Sequence, residues 1–522
     1  MKRVARLAIL GGALAAAAPA AAQTFTAQDP VLQRIWQEGM QNSQLEALAQ
    51  PLLDSIGPRL TGTPNLKAGN DWLVKTYGGW GIAARNEVYG KWKGWEPGYV
   101  HVDLLTPRVR TLEAYMLAWS PGTRGPVTAD VVALPDARSP AEFQAWLPQA
   151  RGKFVLVSFP QPTCRPDDDW ERWALATDFE KMKTERAAAR AAWDARLENT
   201  GVDSRQLARV LEQAGARGIV SNRWSEGWGV DKIFNAHAQT VPEIDVSCED
   251  YGLLYRLQQH GQHPTLRVDA QARFAGDVPI ANTVAEIKGT EKPNEYVLLS
   301  AHFDSWHSGS GATDNGTGTL TMLEAARILK AAYPKPKRTI VIGHWAGEEQ
   351  GLNGSRAFAH DHPEIVQGLQ ALFNQDNGTG RVRNMSGSGL VGAGASLARW
   401  LSRVPTELTD SIHLSLPGMP AGGGSDYASF VCASAPGFSL GSLPWNYFLY
   451  TWHTQRDTYD KVVFDEVRRN AVLTAMLAYL ASEDPERVAR DQRIMPNDRR
   501  TGQSQTWPAC QDGNRDFTQY TR

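Results

Sequence analysis

Cysteine is scarce: Cys164, Cys248, Cys432 and Cys510 are the four in 522 residues, and none sits in a Cys-x-x-Cys pair. A cysteine-built zinc centre is therefore left without its usual paired ligands. Four cysteines allow two disulfides in three connectivities, and four buried thiols suit the sequence equally well. An excess of one charge is lacking too, since 54 Lys and Arg stand against 56 Asp and Glu, for a net charge of −2. With no basic block, neither nucleic acid nor an anionic membrane surface is an expected partner. After the N-terminal segment no stretch is apolar enough to cross a bilayer, and no repeat stands out. A hydrophobic share of 42% and a charged share of 21% suit a globular protein. The length allows two or three domains.

The N-terminus differs in kind. Lys2 and Arg3 lead into an apolar run over 7–17, followed by an Ala-rich segment ending at Ala22. A charged start, a short apolar core and an Ala-x-Ala end predict a secretory signal over 1–22, cleaved after Ala22. The alternative is an uncleaved membrane anchor. The mature protein is expected to be periplasmic or secreted, without stable membrane insertion.

Apolar spacing predicts helix between Val31 and Leu53, and Tyr99–Leu105 alternates like a strand. Short strands are expected at 127–134, 153–158 and 218–221, with a charged helical stretch from Trp170 to Arg217 that is either a solvated helical pair or a lid. From 280 onward strands at 296–300, 339–342 and 369–373 alternate with helices at 317–329, 355–359 and 465–481. That order predicts an α/β fold with a mainly parallel central sheet and helices on both faces. The polar residues beyond Glu483 are expected on the surface or partly disordered.

Chemistry-bearing residues follow the three strands. His302 and Asp304 come after the first, Glu348 and Glu349 after the second, Asp376 after the third. In open parallel sheets ligands gather at strand carboxyl ends. His, Asp and Glu without cysteine suit zinc, cobalt or manganese. Two cations need a carboxylate that both can share. Asp314 is the natural bridge, in the Gly-rich loop 309–318, where small residues let backbone approach closely. A phosphate loop is the rival there, discounted because no Lys follows in P-loop position. Adjacent Glu348 and Glu349 would repel if both were free; a metal on Glu349 relieves this and leaves Glu348 as general base. Asp304 is placed to hydrogen-bond the His302 imidazole. His307 and His344 are expected to line the site, and His360 and His362 to end a helix.

The series His302-x-Asp304, Asp314-Asn-Gly, Glu348-Glu-Gln-Gly, Asp376 and His453-x-x-x-Asp-Thr458 resembles the M28 family of co-catalytic zinc exopeptidases, and within it the carboxypeptidase Q-like group. The likeness runs from Ile56-Gly-Pro-Arg-Leu-Thr-Gly62 to the last helix. It implies two Zn²⁺ per chain: His302 and Asp376 on one, Glu349 and His453 on the other, Asp314 bridging, with Glu348 as base and Asp304 orienting a ligand. It also implies a cis peptide after Asp314. The loop Gly422–Tyr427 resembles one beside the substrate, where Tyr427 would hydrogen-bond an oxyanion; a bare surface loop is the other reading. Residues 119–278, with an extra helical segment at about 165–215, resemble a β-rich protease-associated insert between peptidase segments 23–118 and 279–485, followed by a tail over 486–522. The implied partner is a short peptide, with a homodimer as an option. A single-zinc glutaminyl cyclase-like transferase and a non-catalytic receptor-like relative are the alternatives.

Overall fold

The computed structural model describes residues 28–520, so the expected signal over 1–22 lies outside the described residues. Four strands, Gly437–Ser442, Leu369–Asn374, Lys292–His302 and Arg338–Trp345, lie side by side in that order and all run parallel. Their sequences are near-continuous apolar runs because both faces of the sheet are covered. Successive side chains point to opposite faces. Thus Val297 and Leu299 join one buried cluster with Ile340 and Ile342, while Leu298 and Val341 join a second one with Trp345, Phe358 and Phe430. Helix Thr317–Ala332, buried on nearly all sides, covers the first face together with Phe464–Glu483 and Pro30–Met40. Helix Asn353–Asp361 covers the second.

Ala83–Thr106 and Thr265–Ile287 are far longer than the sequence suggests. They pair antiparallel along nearly their whole length, and the second also pairs antiparallel with Arg338–Trp345. Only Tyr99–Leu105 was legible because bulges near Gly90, Gly94 and Pro97 break the period-two pattern. The same long strand carries Val127–Ala133 on its far half. From there Phe154–Leu156, Gly218–Ser221 and Glu243–Val246 continue in parallel. The charged stretch forms helices Asp167–Trp173, Ala176–Glu198 and Ser204–Gln213, and of the longest only Met182 and Trp193 are buried.

All four cysteines are paired, Cys164 with Cys248 and Cys432 with Cys510. The second bridge anchors the polar tail, which then runs back across the molecule. The Lys91 backbone N–H donates to the Arg515 carbonyl at 2.8 Å. Phe517 and Tyr520 pack on Trp92 and Trp119.

Candidate metal centre

Three parallel strands end at one place. His302 closes Lys292–His302, Asp376 follows Leu369–Asn374 by two residues, and Glu348 and Glu349 follow Arg338–Trp345 by three and four. His302 Nε2 lies 3.1 Å from Asp376 Oδ1 and 3.4 Å from Asp314 Oδ1. His453 Nε2 lies 2.9 Å from Glu349 Oε2 and 3.4 Å from Asp314 Oδ2. Two triads result, His302–Asp314–Asp376 and Asp314–Glu349–His453, each with its ligand atoms within 4.8 Å of one another. Asp314 belongs to both and turns a different oxygen to each.

The donor set and its spacing suit zinc. Ligands about 2.0–2.2 Å from a tetrahedral ion stand about 3.3–3.6 Å apart, and the four imidazole–carboxylate separations here run from 2.9 to 3.4 Å. Asp314 Oδ2, the oxygen turned toward His453, is buried without a hydrogen-bond partner, a costly state for protein alone. Charge points the same way: Asp304, Asp314, Glu348, Glu349 and Asp376 gather about the imidazoles of His302 and His453, and the nearby guanidinium groups of Arg59 and Arg356 leave them in excess. Burial first, then neighbouring carboxylates, hold Glu348 and Glu349 well above the usual carboxylate range. Burial pulls His302 down, but Asp376 and Glu348 win and raise it well above its ordinary value. Burial lowers His453 to about 4.

The loop carrying Asp314 is held from several sides. Asp314–Asn315 is a cis peptide. Asp457 accepts the Thr313 N–H through Oδ1 at 2.8 Å and the Asp314 N–H through Oδ2 at 2.9 Å. Burial pushes Asp457 up to about 7, against these donors. The guanidinium of Arg59, wholly buried, donates to the carbonyls of Gly57, Phe303, Ser310 and Gly311. Gly318 has no room for a side chain, since a Cβ there would stand 2.3 Å from Asn315 Oδ1. His453 has a positive φ of 60°, a conformation that costs about 1–2 kcal/mol for a residue with a Cβ. Trp452 stacks on its ring at 3.8 Å, and Phe234 meets it edge-on at 5.2 Å.

Some expectations change in detail. His302 Nδ1 meets the main-chain carbonyl of Asp304 at 3.0 Å, while the Asp304 carboxylate stands off at 3.7 Å. That carboxylate instead accepts the backbone N–H groups of Glu348 and Glu349, at 3.1 and 3.4 Å. Asp304 therefore positions the Glu-Glu turn as well as the histidine. Tyr427 is not among the residues lining the cleft. Tyr447 lines the cleft, where burial first, then the charges of Asp314 and Asp376, hold its hydroxyl well above its ordinary pKa. His307 and His344 turn away into the core. His307 bonds the Met116 carbonyl and meets Trp95, and His344 bonds the Tyr77 hydroxyl at 2.7 Å. Nothing in sequence spacing distinguished Tyr447 or Arg59. Asp457 carried a signal, four residues after His453.

Residues 282–478 match the profile of Peptidase family M28. Carboxypeptidase Q from Bos taurus is 28% identical over 456 residues, covering 86% of this chain and 87% of that protein. The Homo sapiens protein of the same name is 26% identical over 456 residues, with coverages of 86% and 87%. Among solved structures, a peptidase M28 precursor from Shewanella amazonensis SB2B superposes with a TM-score of 0.63 at 22% identity, covering 88% of this chain and 97% of that one. A zinc aminopeptidase from Bacillus subtilis gives 0.53 at 19% identity, with coverages of 86% and 97%.

Proposed function

This chain is a metallopeptidase with an M28 peptidase domain at residues 282–478, and from that premise we propose a secreted or periplasmic di-zinc exopeptidase acting on short peptides. The observation that carries the two-ion reading is Asp314, one carboxylate shared by two complete triads. His302, Asp314 and Asp376 would hold one Zn²⁺, and Asp314, Glu349 and His453 the other. The complete second triad also favours this reading over a single-zinc transferase. The names of the relatives, carboxypeptidase Q and zinc aminopeptidase, support exopeptidase action. Export is supported by two disulfides, which persist in oxidising compartments. Among the described residues no helix is long and apolar enough to cross a membrane. Residues 119–278 are taken as a protease-associated-like insert.

A zinc pair, when bound, supplies a more acidic water and a polarised peptide carbonyl. The remaining work falls to side chains. Glu348, ionised as a carboxylate and made more basic by its burial, accepts the proton of the attacking water and hands it to the leaving amine. Asp304 keeps Glu348 aimed by accepting its backbone N–H. Tyr447, which lines the cleft, and Tyr427, on which the charge of Asp376 acts, are the candidate hydroxyls to donate to the developing oxyanion.

Digestion of a peptide library by the zinc-loaded protein, read by mass spectrometry, tests the reading. Trimming from one chain end supports it; internal cuts alone overturn the exopeptidase assignment.

A further inference from the structure

The polarity of cleavage rests on what the cleft leaves over once its metal ligands and base are assigned. The cleft has a volume of about 430 Å³. Its acids are Asp314, Glu348, Glu349 and Asp376, and the proposed function uses every one of them. No carboxylate among the lining residues is left to meet a substrate ammonium. One Lys or Arg lines the same cavity, Arg356. It stands on helix Asn353–Asp361, just past the Glu-Glu turn, and shares the wall with Leu352 and Gly424.

Arg356 is half-buried, and its guanidinium makes no hydrogen bond or ion pair among the described residues. Other cations near this end of the molecule are engaged. Arg456 pairs with Glu113 and donates to the Gly229 carbonyl, Lys461 pairs with Asp460, and Lys232 sits over Trp452. Burial lowers the pKa of Arg356, opposed by the charges of Asp426 and Glu348. A half-desolvated guanidinium with five free donors is incomplete. A carboxylate is the group that its planar fork binds best, through two parallel hydrogen bonds.

Resting on the di-zinc exopeptidase reading, we propose that Arg356 holds the free terminal carboxylate of the substrate, making this chain a carboxypeptidase or dipeptidase. Glu348 returns its proton to the leaving amine, and the terminal carboxylate of a dipeptide sits one carbon from that nitrogen. Both groups therefore fall within the cleft that Glu348 and Arg356 both line, and the Glu348 charge acts on Arg356. An acidic side chain on the leaving residue would offer the same chemistry from another source.

The test compares Ala-Ala, Ala-Ala-amide, N-acetyl-Ala-Ala and Ala-Glu-amide on zinc-loaded wild type, R356Q and R356K. The wild type is expected to prefer Ala-Ala over its amide by about 30-fold or more in kcat/KM, as for loss of a charge-paired contact. In R356Q that ratio falls to about 3-fold or less, mainly through KM, and R356K recovers part of it. Acetylation should cost far less than amidation. Ala-Glu-amide matching Ala-Ala in the wild type alone would keep the carboxylate site and move its source to the side chain. A wild-type ratio near one, or a ratio unchanged in R356Q, overturns the proposal. Failure to cleave any of the four sinks the peptidase reading instead. Calorimetry then still decides about Arg356: Glu348→Gln protein should bind Ala-Ala about 30-fold more tightly than its amide, and E348Q/R356Q should not.

Discussion

The backbone N–H of Ile233 donates to the carbonyl of His453 at 2.8 Å, tying the segment proposed as an insert to a proposed zinc ligand. Lys232 forms a bridge with Thr454 beside it, and Phe234 lies against the imidazole. The left-handed conformation of His453 is held from outside its own loop. Ile233→Pro removes the donor. Zinc affinity at one of the two sites should fall about 10- to 100-fold, the usual effect of losing a group that supports a ligand. Titration with a competing chelator measures this, and unchanged affinity at both sites would show that the insert does not support the ligand.

Glu348 takes no part in either triad. Glu348→Gln should therefore retain zinc while kcat falls about 10²- to 10⁴-fold, the range for loss of a general acid–base. Turnover of a dipeptide, alongside metal content, checks this. Near-normal kcat would remove the base assignment.

The parallel strands and the helices between them were legible because burial on both faces writes long apolar runs, and four of the five candidate ligands, His302, Asp314, Glu349 and Asp376, sit at the ends of those runs or in the Gly-rich loop. His453 was legible only through the spacing to Asp457 and Thr458. What was not legible depends on long-range geometry. Arg59 reaches four carbonyls, three of them more than 240 positions away. Tyr447 and Tyr427 are the same residue type, yet of the two only Tyr447 lines the cleft. The tail's return to Trp92 and Trp119 depends on where Cys510 finds its partner.

His344 couples stability to pH. Burial lowers its pKa to about 3, against an unfolded value of 6.5. The unfolded chain then takes up a proton that the folded chain refuses, so stability falls as pH drops from 6.5 toward 3. The full effect is about 1.4 kcal/mol per pH unit for one proton. Gln at this position keeps a partner for the Tyr77 hydroxyl and removes the titration. The Tm of His344→Gln should fall less steeply than that of the wild type between pH 6.5 and 4.

Cys432 and Cys510 are 78 residues apart in sequence. Opening a loop of that length costs about 2–4 kcal/mol in typical proteins. Cys510→Ser should lower the Tm and expose the tail to limited proteolysis near Trp507, whose indole N–H bonds the carbonyls of Val431 and Cys432 beside the bridge. Equal protease resistance in the mutant would mean that packing alone holds the tail.

The most direct measurement is the number of tightly bound zinc ions per chain, by native mass spectrometry, in the wild type and in Asp314→Ala. Two ions in the wild type, and loss of both at nanomolar free zinc in the mutant, are the predicted result. One ion in the wild type, or two retained without Asp314, would contradict the shared-carboxylate centre.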